Sequence, residues 1–324
     1  MCYCQKAMLS NTMEEKDKFI CQACHEEFDT ERGLHIHLKK HQMDLATYYT
    51  TYYPRKNLLT GDPLPFKNKE DYFNRDFSTR RQLIKWCMSQ EKHETKKYAL
   101  NKLKERIKSK GLKYAPNHLE LKIAQLPDID VYKYAFGSYG KACQEAGVKP
   151  LHSSRIDPDF FKDDEHFENL KIFIDTREQK PLTFNVSEDL KLDFGDYTVG
   201  GEDYNYTYVD RKSDSDFKGT LSGGLARFKR ELQRVKEFDS YLFIVVESDL
   251  NRLYKNNMYG AHKSNLKFVY HNMRLISHEF AGHCQFVFTG TRANSQSVIP
   301  KILTLGKKLW DVDLQYYIDK NGLD

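Results

Sequence analysis

The chain has 324 residues, 30% charged and 40% hydrophobic, and its net charge of +5 does not by itself name a partner. That length suggests two or three domains, and 21 Tyr with 20 Phe give at least one of them the apolar mass for a core. No apolar run reaches membrane-spanning length, the start MCYCQKAMLSNTMEEK lacks the stretch of a secretion signal, and seven scattered cysteines suit no disulfide framework, so a cytoplasmic, reducing location without membrane contact is expected.

Residues 1–19 read as a flexible tail in which Cys2 and Cys4 carry no ligand role. In residues 20–42, Cys21, Cys24, His37 and His41 have the spacing C-x2-C-x12-H-x3-H. Two thiolates on a knuckle and two imidazoles one helical turn apart can close a tetrahedron around Zn2+. Phe28 and Leu34 stand where a small ββα core needs apolar residues. The pattern resembles the two-Cys-two-His zinc finger, a unit too small to fold without its metal. In that family the helix positions that read bases would fall on Thr30, Gly33 and Ile36, none of them a bidentate base reader. Docking to DNA or to protein is expected in place of sequence reading.

Residues 43–76 are rich in tyrosine and punctuated by Pro and Gly, and read as an irregular connector. Helices return at Phe77. Leu83, Ile84, Trp86 and Cys87 give one apolar face, and Leu100, Leu103 and Ile107 give a second under a basic outer face. Between Arg80 and Lys113 there are twelve Lys and Arg against three Asp and Glu, either a solvated face or a DNA contact. Phe136-Gly137-Ser138-Tyr139 then opens a short helix with Ala142, closed at Gly147. This stretch, about 94–150, resembles the repeat associated with homing endonucleases, with Tyr139 for the usual Trp and Val148 for the usual Leu. The resemblance implies a small helical DNA-binding domain over 77–150 in which Ser138 and Tyr139 belong to the DNA-binding surface. A plain helical linker is the other reading.

Residues 151–168 form an acidic linker. From 169 to 310 strands and helices alternate, which gives an α/β domain: a buried strand at KIFID, a strand and turn at LKLDFGDYTVGG, a strand at NYTYVDRKS, a helix from about Asp216 to Glu237, a buried strand at YLFIVVES, a helix from Asn265 to Phe280, a strand at CQFVFTG and a helix from Ser295 to Lys308. Along NYTYVDRKS, Tyr208, Asp210 and Lys212 share one face and Arg211 takes the other. Hydrolysis of a phosphodiester needs an activated water and a stabilised leaving oxygen. Two carboxylates on neighbouring strands can hold Mg2+ or Mn2+ there, and a lysine two residues after one of them can steer the water. Asp196 with Asp210 and Lys212, D-x13-D-x-K, has that arrangement.

The order Asp175-Thr176-Arg177-Glu178, Gly195-Asp196, Asp210-Arg211-Lys212 with Asp216 resembles the nuclease domain of the XPF-type structure-specific endonucleases, and RFKREL resembles a helix of their phage and bacterial members. The resemblance implies a restriction-endonuclease-like fold, a mixed sheet flanked by helices, over about 169–310. It implies Asp196 and Asp210 as ligands of a catalytic Mg2+, Asp175 as a nearby acid, and Lys212 as the residue that orients water. Arg211 and Asp216 would organise the site, and Arg177, Arg227 and Arg230 would meet DNA. Arg177 and Arg211 paired structurally with Glu178 or Asp216 are the alternative. Asp210 replaces the family's usual Glu, and the C-terminal tail at 311–324 is too short for tandem helix-hairpin-helix motifs. Junction or flap specificity is therefore not implied. One such domain would cut one strand, and double-strand cleavage would need a homodimer or two binding events. The company of modules points to a phage or mobile-element nuclease of homing type. A DNA-binding adaptor with an inactive nuclease fold is the rival reading.

Overall fold

The computed structural model describes residues 18–55, 63–69, 72, 79–155, 157–162, 167, 169–259 and 263–322. Contacts divide the chain into one unit of Met1–Arg55 with Pro63–Asn74 and another of Lys56–Asp62 with Arg75–Asp324. Most of the expected N-terminal tail lies outside the described residues.

In the smaller unit, β1 (Phe19–Ile20) and β2 (Glu27–Phe28) pair antiparallel with Phe19 opposite Phe28. Helix α1 (Glu31–His37) starts at Thr30, whose Oγ accepts from the Gly33 amide at 3.1 Å, the usual device for an orphan N–H at a helix start. Leu34 is buried and Phe28 packs beside it, as expected. Of the segment expected to be a connector, the described residues 43–55, 63–69 and 72 are part of this unit. Helix α2 (Leu45–Tyr52) buries Tyr48 and Tyr49 in one cluster with Leu34, Leu38, Leu64 and Tyr72. A hairpin and a two-turn helix bury little apolar surface, and the tyrosines enlarge the core.

The larger unit begins with helices α3 (Arg80–Ser89), α4 (Lys92–Lys110), α5 (His118–Ile123), α6 (Ile129–Phe136) and α7 (Tyr139–Glu145), and a parallel pair of β3 (Tyr114–Ala115) with β4 (Lys149–Pro150). A capping box of Thr79 and Gln82 starts α3, and left-handed Gly111 ends α4. Leu83, Cys87, Ala99, Leu103, Tyr132 and Ala142 form the core of this layer. Helix α4 buries only Thr95, Ala99 and Leu103, so its lysines make the basic outer face the sequence predicts.

Six strands follow: β5 (Lys171–Asp175), β6 (Val186–Leu190), β7 (Tyr197–Val199), β8 (Thr207–Lys212), β9 (Tyr241–Val246) and β10 (Cys284–Phe288). Their order in the sheet is β10-β9-β8-β7-β5-β6. The β10–β9, β9–β8 and β5–β6 pairs are parallel, and β7 runs antiparallel to both neighbours. Every residue of β9 is buried, and its two faces part into two cores. Leu242, Ile244 and Val246 meet α8 (Asp214–Thr220), α9 (Leu225–Glu237) and α11 (Leu266–Glu279). Tyr241, Phe243 and Val245 meet α12 (Arg292–Leu305) and α13 (Leu314–Asn321). A mixed sheet flanked by helices is thus present.

Several boundaries differ from expectation. The helix expected from Asp216 to Glu237 is two helices, because Ser222-Gly223-Gly224 interrupts it and Gly224 packs where a Cβ would stand 3.2 Å from the Gly219 carbonyl oxygen. The edge strand β6 and helix α10 (Leu250–Tyr259) were not foreseen; β6 is exposed throughout and carries no apolar alternation. Within the expected C-terminal tail, Leu314–Asn321 form α13, which buries Leu314, Tyr316, Tyr317 and Ile318. Described parts of the acidic linker are packed as well, with Phe161 and Phe167 buried and Ser153 bridged to Val312. Leu119 and Ile123 of α5 belong to the core under β9, so no boundary near residue 150 separates the helical layer from the sheet. Among the described residues no disulfide joins any of the five cysteines, and no helix is long and apolar enough to cross a membrane.

Candidate active site

The turn that precedes β7 fixes the first acid. Gly195 has φ +69, and an added Cβ would stand 3.0 Å from the Val209 carbonyl oxygen and 3.0 Å from Leu242, so both conformation and space call for glycine. The Asp196 amide then donates to Val209 O at 2.7 Å, and Asp196 O accepts from the Asp175 amide at 2.8 Å. This stitches Asp196 between β8 and β5. Strand alternation fixes the second acid. Tyr208, Asp210 and Lys212 lie on the α9 side of β8, while Val209 and Arg211 take the opposite side, as the sequence predicts.

Gly195, Asp196, Asp210, Arg211 and Lys212 line an open cleft of about 1270 Å3, with Asp175, Arg177, Asp216, Arg227 and Glu231 on its walls. Lys212 Nζ reaches Asp210 Oδ1 at 2.9 Å and Oδ2 at 2.8 Å. Burial works against the charge on Lys212, but the Asp210 carboxylate outweighs it and the ammonium pKa is raised. Asp196 takes the Arg211 amide on Oδ2 at 2.7 Å. Burial first, and then the Asp210 charge, push the Asp196 carboxyl up to about 8. Glu231 reaches in from α9 and accepts the Gly195 amide on Oε1 at 3.1 Å. Burial and the Asp210 charge raise its pKa too. Lys212 therefore bonds one carboxylate and feels the charge of two more, and those two resist ionisation. Carboxylate oxygens are the donors that Mg2+ and Mn2+ take, so the donor set fits such a cation.

Other predicted residues have different work. Asp175 is buried and saturated. Oδ1 accepts the Arg177 amide and Nε, each at 2.7 Å, and Oδ2 accepts an Arg177 terminal nitrogen at 2.6 Å and the Leu192 amide at 2.9 Å. Burial would raise its pKa, but these donors hold it below the usual carboxylate value. Asp175 and Arg177 clamp the turn after β5, although the Arg177 side chain stays 60% exposed at the cleft. Arg211 lies between Glu178 at 3.1 Å and Glu247 at 3.0 Å, all three side chains nearly buried, so the structural pairing with Glu178 holds and Glu247 joins it. Asp216 is the third residue of α8 and accepts from Ser213 Oγ at 2.6 Å, while its amide donates back to that hydroxyl. Arg227 lines the cleft, whereas Arg230 stands outside its lining. Tyr139 does not belong to a DNA surface. It is 1% exposed and its hydroxyl donates to Pro116 O at 2.6 Å. Ser138 is the cap of α7, accepting the Lys141 amide at 3.1 Å.

No family model matches the chain, and no curated protein matches it. Among solved structures, XPF from Aeropyrum pernix is 21% identical with a TM-score of 0.33, over 43% of this chain and 67% of that one. XPF from Aeropyrum pernix in complex with DNA is 20% identical with a TM-score of 0.30, over 44% of this chain and 64% of that one. The match thus spans about two thirds of the length of those chains, and the reading of the cleft rests on its own residues.

Glu231, Glu247 and Arg292, which bonds the Lys180 and Pro181 carbonyls at 2.8 Å each, were not predicted as site residues. Glu231 carried a faint signal: it stands one turn after Arg227 and next to the apolar stripe of Phe228 and Leu232. In the smaller unit, one ligand atom from each of Cys21, Cys24, His37 and His41 lies within 4.8 Å of the others. Cys24 Sγ is 3.1 Å from His37 Nε2, which is 2.9 Å from His41 Nε2. Separations of this order suit two thiolates and two imidazoles around one Zn2+, and the Glu26 carboxylate stands 3.5 Å from His37 Nδ1 as an outer partner.

Proposed function

We propose that the chain is a divalent-metal-dependent DNA endonuclease whose active site is the cleft of Asp196, Asp210, Lys212 and Glu231. The observation that carries this is that Asp210 of β8 bonds Lys212, while Asp196 from the turn before β7 and Glu231 of α9 act on the same lysine through their charge, in a cleft also lined by Arg177, Arg227 and Arg292. Asp196 and Asp210, with Glu231 beside them, would hold Mg2+ or Mn2+, which when bound supplies charge stabilisation at the scissile phosphate and a more acidic water. Lys212 is placed to orient that water and to neutralise charge that builds on the phosphate. The arginines at the rim face the backbone on either side. Asp175, Arg211 and Asp216 act by holding the turn, the strand and the helix start that carry the site. Zn2+ on Cys21, Cys24, His37 and His41 would hold the smaller unit folded.

A single cleft cuts one strand, so a double-strand break requires a second chain or a second binding event. The test is supercoiled-plasmid nicking in Mg2+ and in Mn2+, with Asp210→Asn and Lys212→Met as controls. Nicking that both substitutions abolish, with DNA affinity kept, is expected. Intact DNA binding without nicking in either metal would make the chain a binding protein on an inactive fold, and full activity in both variants would displace the site.

A further inference from the structure

A second concavity, of about 460 Å3, opens where α4 and α5 face α11. Arg106 and Lys110 come from α4, and Lys267, His271 and Arg274 come from α11, more than 150 residues later in the chain. Among the described residues the single carboxylate in the lining is Glu120. It is already engaged, with Oε1 on Arg106 Nε at 2.9 Å and Oε2 against His278 Nε2 at 3.0 Å. Among the described residues, four cations thus line this concavity beside one carboxylate. The Arg274 guanidinium donates to His271 Nδ1 at 2.7 Å. Burial lowers the Arg274 pKa, Glu120 pulls it back and Arg106 pushes it further down. A concavity that gathers like charges this closely, from helices so far apart in sequence, favours an anionic ligand.

The shape and the rim narrow the choice of anion. Phe268 lies on the lining and is 47% exposed, next to Lys267 at the start of α11, where the helix dipole also favours negative charge. A free phosphate would use the cations and leave the ring idle. A single nucleic-acid strand would use both, phosphates on the cations and a base on the ring. The volume suits a drug-sized ligand and is too small to admit a duplex.

We infer that this groove binds a single-stranded segment of DNA, its phosphates on Lys110, Lys267 and Arg274 and one base stacked on Phe268. The inference rests on the reading of DNA as the partner and adds a second site to it, outside the cleft.

The experiment is binding of a fluorescein-labelled single-stranded oligonucleotide by the full chain in EDTA, over a salt series. Lys110→Ala/Lys267→Ala should weaken binding about 10-fold at low salt and flatten the salt slope by about 1.4, at about 0.7 for each phosphate left without its lysine. Phe268→Ala should weaken binding about 10-fold without change of slope, and Phe268→Trp should keep the parent affinity. All three positions in these tests are exposed, and circular dichroism and tryptophan fluorescence report the fold. Variants that are folded and bind with the parent's affinity and slope overturn the inference, as does a parent chain with no affinity for the single strand. If the parent nicks plasmid while the variants bind unchanged, this site fails and the nuclease reading stands. If binding follows Lys110, Lys267 and Phe268 but no metal supports nicking, the reverse holds.

Discussion

Asp196→Asn tests the electrostatics of the cleft without reference to cleavage. The Asp196 carboxyl is raised from 3.8 to about 8 by burial and by Asp210. Between those values the folded chain holds a proton that the unfolded chain releases, so stability falls as pH rises from about 4 to about 8 and is level above. That distance, at about 1.4 kcal/mol per pH unit, sets a ceiling of about 6 kcal/mol for this one group. Since the cleft is open to water, about 2–4 kcal/mol is expected. Asparagine keeps an oxygen for the Arg211 amide and never ionises. In EDTA the variant should therefore match the parent near pH 4 and exceed it by about 2–4 kcal/mol at pH 8. Both tryptophans, Trp86 and Trp310, lie in the larger unit, so urea unfolding followed by their fluorescence reports that unit alone. Mg2+ or Mn2+ should then stabilise the parent at pH 8 by more than it stabilises the variant. Parallel curves for parent and variant from pH 4 to pH 8 would refute the coupling of Asp196 to Asp210, and with it the argument that the acids are poised for a cation.

Three further outcomes follow from the same contacts. Arg211→Met leaves Glu178 and Glu247 nearly buried without their shared cation, and a loss of about 3–5 kcal/mol is expected in the same unfolding assay; unchanged stability with lost nicking would give Arg211 a catalytic role instead. Tyr139→Phe removes the donor to Pro116 O and should cost about 1–3 kcal/mol with DNA affinity kept, whereas a loss of affinity in a fully stable variant would return Tyr139 to the DNA surface. Cys24→Ala should take the zinc content from about one per chain to none while the tryptophan-reported melt stays in place; full retention of zinc by atomic absorption counts against the four-ligand site.

The sequence exposed what depends on spacing and alternation. Asp210, Lys212 and Arg211 part across β8 because a strand alternates, and Gly195 precedes Asp196 because that turn has no room for a Cβ. The apolar faces of α3 and α4 were legible for the same reason. What stayed hidden depends on contacts distant in the chain. No local pattern tells that Glu247 completes the Arg211 pair, that Glu231 hydrogen-bonds the Gly195 amide 36 residues away, or that Tyr139 is core. An aromatic at the start of a short helix looks the same in sequence whether it faces a ligand or the Pro116 carbonyl. The residues at 311–324 read as a tail because LWDVDLQYYIDKNGLD is too short for a domain, yet it is long enough for one helix that fills a gap.

That helix, α13, bears on how the two proposed sites would work together. On one side it meets the helical layer: Asp313 accepts the His118 amide at 2.7 Å, and Asp319 contacts His118 at 2.8 Å and Lys122 at 2.5 Å. On the other it meets the sheet, where Gln315 accepts the Phe288 amide at 2.7 Å and Gln285 accepts the Leu314 amide at 3.2 Å. Burial opposes ionisation of Asp319, but His118 and Lys122 outweigh it and hold the carboxyl well below its ordinary pKa, so this anchor keeps its charge at neutral pH. The groove is built partly on α4 and α5, and the cleft on β7, β8 and α9, and α13 bonds to both layers. A linker at 151–168 free to swing would have let a bound strand approach the cleft at many offsets. With Phe161 and Phe167 buried and Ser153 bridged to Val312, that freedom is absent among the described residues. On the proposed reading, a strand held in the groove meets the cleft at one separation, set by packing inside a single body instead of by tether length, and the position of the cut relative to the bound strand follows from the fold.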